Sequence, residues 1–182
     1  MNKLSSIKLI IHQSKGLNKQ ILTFVFWIAA LTAMTGQEWE RSDLTLYDTF
    51  ESFEHVLNQK TDTTYIVNFW ATWCAPCIKE LPYFEALNEV YKDQKVKVVL
   101  VSLDFDKYID KSLIPFLNKR KIKSEVVVLL DGKTSKWIDK VDPRWSGAIP
   151  ITIFYNKEEK LFFERQFHAT KELTDIINPL LK

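Results

Sequence analysis

Cysteine is scarce in this sequence. The 182 residues contain two, Cys74 and Cys77, and they lie within four positions of each other. A structural zinc site uses four ligands, and there is no second cysteine pair to complete one. The three histidines are scattered, without the His-x-x-x-His spacing that would supply the missing ligands. The sequence therefore predicts no metal site and no bound cofactor, and its fold must depend on a hydrophobic core instead of a disulfide framework.

A surplus of charge of one sign is also missing. The net charge is +2 at pH 7, from 25 lysine and arginine residues against 23 aspartate and glutamate residues. Residues 1–36 contain four lysines and no acidic residue, which leaves 21 basic and 23 acidic side chains in the remainder. A faintly acidic domain lacks the clustered basic face that nucleic-acid binding requires. We therefore predict no nucleic acid among the partners.

A hydrophobic run long enough for a comfortable transmembrane helix is absent as well. The uncharged apolar block at residues 21–34 falls short of the roughly 20 residues that such a helix needs. It follows a stretch with lysines and no acids, which is the arrangement of a secretory signal peptide. No clean Ala-x-Ala cleavage site follows it. Residues 1–36 are therefore predicted to be a signal peptide or an uncleaved N-terminal membrane anchor, with residues 37–182 as one domain outside the cytoplasm.

The two cysteines form a Cys-x-x-Cys motif directly after the apolar run at residues 65–70. A strand that ends in this motif and opens a helix places both thiols on the first helical turn, where unpaired N–H groups and the helix dipole favour a thiolate. Pro76 suits this turn because its missing N–H would have no helical partner. The motif predicts a reversible dithiol–disulfide pair. A purely structural disulfide is the alternative, although so small a loop would constrain the unfolded chain very little.

The hydrophobic pattern after residue 37 alternates between strands and helices. Strands are predicted at residues 63–71, 96–103, 125–130, 151–155 and 160–164. Helices are predicted from Asp48 as an N-cap, from the cysteines to about residue 91 with Val90 on the buried face, over 107–121, over 135–141 and from 173. This order indicates an α/β fold with a mixed sheet between helices.

The motif and the element order resemble the thioredoxin superfamily. Residues 69–77 are similar to the thioredoxin active-site block, Pro82 lies where the family has a helix-kinking proline, and residues 149–152 are similar to its cis-proline loop. The export signal, an extra strand–helix insertion and Glu80 make the chain most similar to the TlpA/ResA-like branch. The resemblance covers roughly residues 40–182. It implies a thioredoxin-like fold, with a central mixed β-sheet flanked by helices and an inserted strand–helix element.

The same resemblance implies a role for each site residue. Cys74, nearer the helix terminus, is the attacking thiolate, and Cys77, one turn further in, is the resolving thiol. Pro150 is expected to follow a cis peptide bond beside Cys74, because an X–Pro bond reaches cis at a small energy penalty. Trp73 and the backbone of Ile149 are expected to contact the substrate.

One position departs from the thioredoxins proper, which keep a buried aspartate in the strand before the motif. Asn68 stands there, and an amide cannot accept the proton that Cys77 must lose. Glu80 is the expected replacement, because it lies three residues beyond Cys77 on the same helical face and matches an acid of the ResA-like group. A partly buried carboxyl there would have a raised pKa and could move that proton near neutral pH. The alternative is a solvated helix-face charge like Lys79.

Two functional classes are consistent with these residues. The first is a thiol–disulfide oxidoreductase in the periplasm or at the extracytoplasmic face of the cell membrane, working in the reducing direction. By resemblance, its partners are disulfide-containing exported proteins, apocytochrome c among them, and a membrane thiol donor. The second is a thioredoxin-like module whose redox pair is regulatory, or which binds a partner without turnover.

Overall fold

The computed structural model describes residues 38–181, so the signal or anchor predicted at residues 1–36 lies outside the described range and stays a prediction. One six-stranded sheet forms the centre of the fold. Its strands are β1 (Thr45–Tyr47), β2 (Thr64–Trp70), β3 (Val96–Ser102), β4 (Glu125–Leu129), β5 (Ile151–Tyr155) and β6 (Lys160–Phe163). Their order across the sheet is β1-β4-β3-β2-β5-β6. Strands β1 to β4 are parallel to one another, whereas β5 is antiparallel to both of its neighbours, β2 and β6. This arrangement confirms the predicted mixed sheet.

Helices cover both faces of the sheet. They are α1 (Phe50–Phe53), α2 (Ala75–Val90), α3 (Ile114–Arg120), α4 (Ile138–Val141) and α5 (Thr170–Ile177). Side chains of α2, α3 and α5, such as Phe84, Leu117 and Leu173, are buried together against one face. Those of α1 and α4 are buried against the other, with Trp137 and Trp145. The strand–helix element predicted between β3 and Pro150 is present as β4 and α4. Among residues 38–181, no helix has both the length and the hydropathy needed to cross a bilayer.

The alternation of side chains along β2 determines what reaches each face. Ile66 and Trp70 lie in the cluster under α2, whereas Val67 and Phe69 lie in the cluster under α1. All seven residues of the strand are buried, because it has neighbouring strands on both sides and helices on both faces. The same alternation carries Asn68 into the interior on the side of α2.

The edge strand β1 is absent from the sequence-based prediction. Its three residues pair in parallel with β4, with Thr45 opposite Val127. A three-residue strand contains too little alternation to stand out from a loop. Only its pairing with β4 in the folded structure therefore identifies it as a strand.

The start of α1 corrects another local prediction. Thr49, not Asp48, is the N-cap, and its Oγ1 accepts the backbone N–H of Ser52 at 3.3 Å. The backbone N–H of Phe50, the first residue of the helix, donates to Oδ2 of Asp131, 81 positions away, at 3.2 Å. A tertiary contact thus helps to decide where this helix begins.

The end of α2 corrects the prediction for Val90, which is 59% exposed instead of buried. At about 100° per residue, Val90 lies roughly 120° around the helix from Phe84, whereas Tyr91 lies within about 20° of it. Tyr91 is the buried residue, and its hydroxyl donates to Oδ1 of Asn178 at 2.7 Å.

The helix predicted over residues 107–121 is divided into three pieces. A 3₁₀ turn (Asp106–Tyr108) and a π turn (Ile109–Leu113) precede α3. Pro115, in the first turn of α3, has no N–H and would crowd a regular α-turn before it. The wider π turn, which the N–H of Ile114 closes onto the carbonyl of Ile109, accommodates that proline.

Candidate active site

The two cysteines lie at the junction of β2 and α2, in the middle of the sheet. Cys74 is the N-cap of α2, and its Sγ accepts the backbone N–H of Cys77 at 3.3 Å. The two residues are joined by a disulfide, with their Cα atoms 5.3 Å apart. Cys74 is 5% exposed and Cys77 is fully buried. The predicted strand–motif–helix arrangement is therefore present, with Cys74 as the more accessible sulfur.

The cis-proline loop lies beside Cys74. The Ile149–Pro150 peptide bond is cis, as expected from the sequence. Sγ of Cys74 is 3.7 Å from the carbonyl oxygen of Ile149. The two loops meet because β5 is antiparallel to β2, with Phe69 opposite Ile151, so that the start of one strand adjoins the end of the other.

Glu80 is buried in the second turn of α2, and not solvated like a helix-face charge. Its Oε1 accepts a hydrogen bond from Nδ2 of Asn68 at 2.8 Å, and its Oε2 accepts one from the backbone N–H of Phe167 at 2.8 Å. Nδ2 of Asn68 also lies 3.0 Å from Oγ1 of Thr152 and 3.3 Å from the carbonyl oxygen of Ile151. Asn68 thus connects the carboxyl group to the strand that follows Pro150.

Burial raises the pKa of Glu80 to about 7, because the ionised form loses its hydration in the interior. The hydrogen bonds from Phe167 and Asn68 and the charge of Arg165 lower the pKa in part, but they do not outweigh the loss of solvent. A carboxyl group with this pKa is partly protonated at neutral pH. It can therefore accept and release a proton under physiological conditions.

A second buried carboxyl group, Asp104, holds the loop in front of the cysteines. It lies two residues after the end of β3. Its carboxylate accepts hydrogen bonds from the backbone N–H of Thr72 at 3.0 Å, from the hydroxyl of Thr72 and from that of Ser102 at 2.8 Å. Asp104 is not among the site residues predicted from the sequence. An acid just beyond the carboxyl end of the strand next to the motif was the signal that could have identified it.

The two predicted substrate-contact residues differ in exposure. Trp73 is 60% exposed next to Cys74, whereas Ile149 is partly buried. Within residues 38–181, no group of three or more His, Cys, Asp or Glu side chains could hold a metal ion.

Comparison with known proteins identifies the family. Residues 43–163 match the model of the AhpC/TSA family. The chain belongs to that family. Among curated relatives, the thiol-disulfide oxidoreductase ResA of Bacillus thuringiensis subsp. konkukian (strain 97-27) is 30% identical over 106 residues, which cover 58% of this chain and 56% of that protein.

Two solved structures with a similar fold also cover about two thirds of this AhpC/TSA chain. A thioredoxin-related protein from Neisseria meningitidis serogroup B is 27% identical, with a TM-score of 0.54 over 68% of this chain and 88% of that one. A DsbF homologue from Corynebacterium diphtheriae is 24% identical, with a TM-score of 0.55 over 68% of this chain and 75% of that one. These matches confirm the predicted thioredoxin-like fold, and the ResA relative agrees with the predicted resemblance to the TlpA/ResA-like branch. The chain spans 29% to 56% of the length of the first curated relatives it matches.

We expect iodoacetamide to label Cys74 at least about tenfold faster than Cys77 in the reduced, folded protein at neutral pH. Thiolates react and thiols do not, and Cys74 combines a helix N-terminus with the greater exposure. Mass spectrometry after brief labelling measures the ratio. Predominant labelling of Cys77 would reverse the assignment of the two sulfurs.

Proposed function

We propose that this protein is an extracytoplasmic thiol–disulfide oxidoreductase that reduces disulfides in exported proteins. The observation that carries the proposal is the placement of Cys74 and Cys77 on the first turn of α2, beside the cis-Pro150 loop and with buried Glu80 in the next turn. This arrangement combines an accessible sulfur, a shielded sulfur and a titratable proton carrier. The lysine-containing N-terminal sequence and the apolar block at residues 21–34 support export.

The reaction proceeds by two thiol–disulfide exchanges. The Cys74 thiolate attacks one sulfur of the substrate disulfide, so that a mixed disulfide forms, the substrate S–S bond breaks and its second sulfur leaves as a thiolate that takes up a proton. The Cys77 thiolate then attacks Sγ of Cys74 and expels the first substrate sulfur. Two electrons pass to the substrate, and the protein ends as the Cys74–Cys77 disulfide, the state present in the structure. A membrane thiol donor supplies the two electrons for the next cycle.

Glu80 acts in the second exchange. Cys77 must lose its proton before it attacks, and its complete burial separates it from bulk water. Glu80 lies three residues further along α2, oriented by Asn68 and by the backbone N–H of Phe167, and its pKa of about 7 suits a proton acceptor at neutral pH. Asn68 itself cannot take this proton, but it holds the group that does.

The substrates are exported proteins with accessible disulfides, for which apocytochrome c is the example that the ResA-like resemblance suggests. Pro150 and Ile149 support binding of an extended substrate segment: proline has no N–H to offer the sulfurs, and the neighbouring backbone lies within 3.7 Å of Sγ of Cys74. The Ala75-Pro76 dipeptide and Ile149 resemble the reducing members of the group, which supports the reducing direction.

Equilibration with glutathione buffers tests this direction. We expect a reduction potential near the value of about −270 mV for thioredoxin, and far from the value of about −120 mV for the oxidant DsbA. With dithiothreitol as the donor, the protein should also reduce many equivalents of a disulfide peptide. A potential at the DsbA end would overturn the reducing role, and stoichiometric reaction without turnover would indicate a regulatory or partner-binding module.

A further inference from the structure

Three aromatic side chains are exposed near the carboxyl ends of β2 and β3, on the side of the sheet where the cysteines lie. Trp73 follows β2 and is 60% exposed, while Phe105 and Tyr108 follow β3 and are 58% and 40% exposed. We refer to these three residues as the aromatic rim. Trp73 precedes the reactive sulfur in the chain, so the rim begins at the site of chemistry. Phe105 and Tyr108 have no role in the exchange steps described above.

Hydrogen bonds between the two strand ends bring the rim together. The backbone N–H of Leu103 donates to the carbonyl of Trp70 at 2.9 Å, and the buried carboxylate of Asp104 binds Thr72. Trp73 and Phe105 are each one residue beyond that Thr72–Asp104 contact. Two Cα steps of ~3.8 Å separate Cys74 from Thr72, and one step separates Asp104 from Phe105. With the hydrogen-bonded Thr72–Asp104 contact added, Phe105 lies within roughly five residues of extended chain from Cys74. One short peptide segment can therefore reach both the sulfur and the rim.

Local contacts hold Phe105 and Tyr108 in place. The rings of Phe105 and Tyr108 contact each other edge to face, with centroids 6.4 Å apart, and the N–H of Tyr108 donates to the carbonyl of Phe105 at 2.8 Å. Arg41 forms ion pairs with Asp106 and with Asp110, the latter at 3.0 Å. The acidic side chains beside the rings are thus paired with a cation. The surface that remains consists of the aromatic rings and of Lys107, whose Nζ lies 5.0 Å from the centroid of the Tyr108 ring. Its backbone is already ordered before a partner arrives.

We propose that Phe105 and Tyr108 bind an apolar or aromatic side chain of the substrate, within about five residues of the cysteine whose disulfide is reduced. The inference rests on the proposed function, because thiol–disulfide exchange requires a substrate sulfur to contact Cys74. The substrate chain must then lie over the carboxyl ends of β2 and β3. Exposed aromatic side chains at such a contact gain by losing water to an apolar partner. With Asp106 and Asp110 paired to Arg41, a basic substrate side chain finds no free counter-charge among these acids. The rim therefore selects apolar sequence next to the target cysteine.

Two disulfide peptides that differ in the residues flanking their cysteines test the rim. One carries phenylalanine and leucine beside the cysteines and the other carries serine at the same positions. Single-turnover rate constants are measured with the reduced protein. We expect the wild type to react about tenfold faster with the apolar peptide, and the Phe105→Ser/Tyr108→Ser double variant to react at nearly equal rates with both.

Matched variants separate recognition from general damage. Val90→Ser removes an equally exposed apolar side chain at the far end of α2 and should keep the wild-type ratio. Phe105→Leu keeps an apolar surface and should keep most of the preference. A wild type that reacts with neither peptide would refute the proposed function itself. Equal rates with both peptides in the wild type, or an unchanged ratio in the double variant, would contradict the role proposed for the rim and leave the proposed function intact. Equal wild-type rates together with a dimer that the double variant dissociates would assign this surface to a second copy of the chain.

Discussion

Replacing Cys77 with serine is expected to stop turnover and to leave the substrate covalently bound through Cys74. The attacking sulfur stays at the N-terminus of α2, in the more exposed of the two cysteines, so the first exchange still occurs. Without the second sulfur, which lies three residues away, nothing within the motif releases the mixed disulfide. Turnover of a disulfide peptide should fall below detection, while one equivalent of peptide is retained per protein. Non-reducing electrophoresis and intact mass measure the adduct.

The matched variant is Cys74→Ser, which should be equally inactive but should trap nothing. Cys77 is fully buried in the structure and cannot meet a protein disulfide directly. Adducts in equal amounts from the two variants would show that the order of attack is wrong. Adducts formed only by Cys74→Ser would reverse the two roles.

Replacing Glu80 with glutamine is expected to slow resolution of the mixed disulfide by about 10²-fold at pH 7, the lower end of what general acid–base catalysis contributes. The wild-type rate should show an ionisation near pH 7, the pKa to which burial raises this carboxyl group. Glutamine cannot take a proton, so the profile of the variant should lose that inflection. Stopped-flow reduction of a peptide disulfide between pH 5 and 9 measures both effects.

The same residue makes stability depend on pH in a defined direction. The pKa of Glu80 is about 7 in the folded protein against an ordinary value of 4.5, so the folded state binds this proton more tightly than the unfolded state. The free energy of unfolding should therefore fall as pH rises from about 4.5 to 7, by an amount of about 3 kcal/mol from this group. Below about pH 4.5, Glu80 is protonated in both the folded and the unfolded state, so it no longer makes the free energy of unfolding depend on pH. Glu80→Gln should remove this part of the slope in urea titrations.

Glu89 on the same helix provides the control, because it is exposed and forms an ion pair with Lys92. Glu89→Gln should change stability by no more than about 0.5 kcal/mol and should leave the kinetic profile unchanged. Wild-type and Glu80→Gln profiles that superimpose would remove Glu80 from the mechanism. Solvent would then have to carry the proton of Cys77.

Short-range patterns were sufficient for five of the six strands, most of the helices and the redox motif. The run at residues 65–70 is apolar except at Asn68 because β2 is buried on both faces, and this composition can be recognised without knowing its neighbours. The motif at Cys74 and Cys77 is equally local, since both thiols depend on one helical turn. Helical spacing also placed Glu80 on the face of Cys77. Where periodicity was ambiguous, as at Val90, or too short, as in β1, the prediction was wrong or missing.

The sequence by itself therefore determined the family, the α/β order and the position of each reactive group along its element. The tertiary structure decided the environment of those groups. The pKa of Glu80 depends on its burial in the interior and on the backbone N–H of Phe167, 87 positions away. Asp104 reaches Thr72, and the aromatic rim forms, only because β2 and β3 end side by side. Hydrophobic periodicity is a property of neighbouring residues, whereas desolvation and hydrogen bonding depend on whichever distant segments the fold brings into contact.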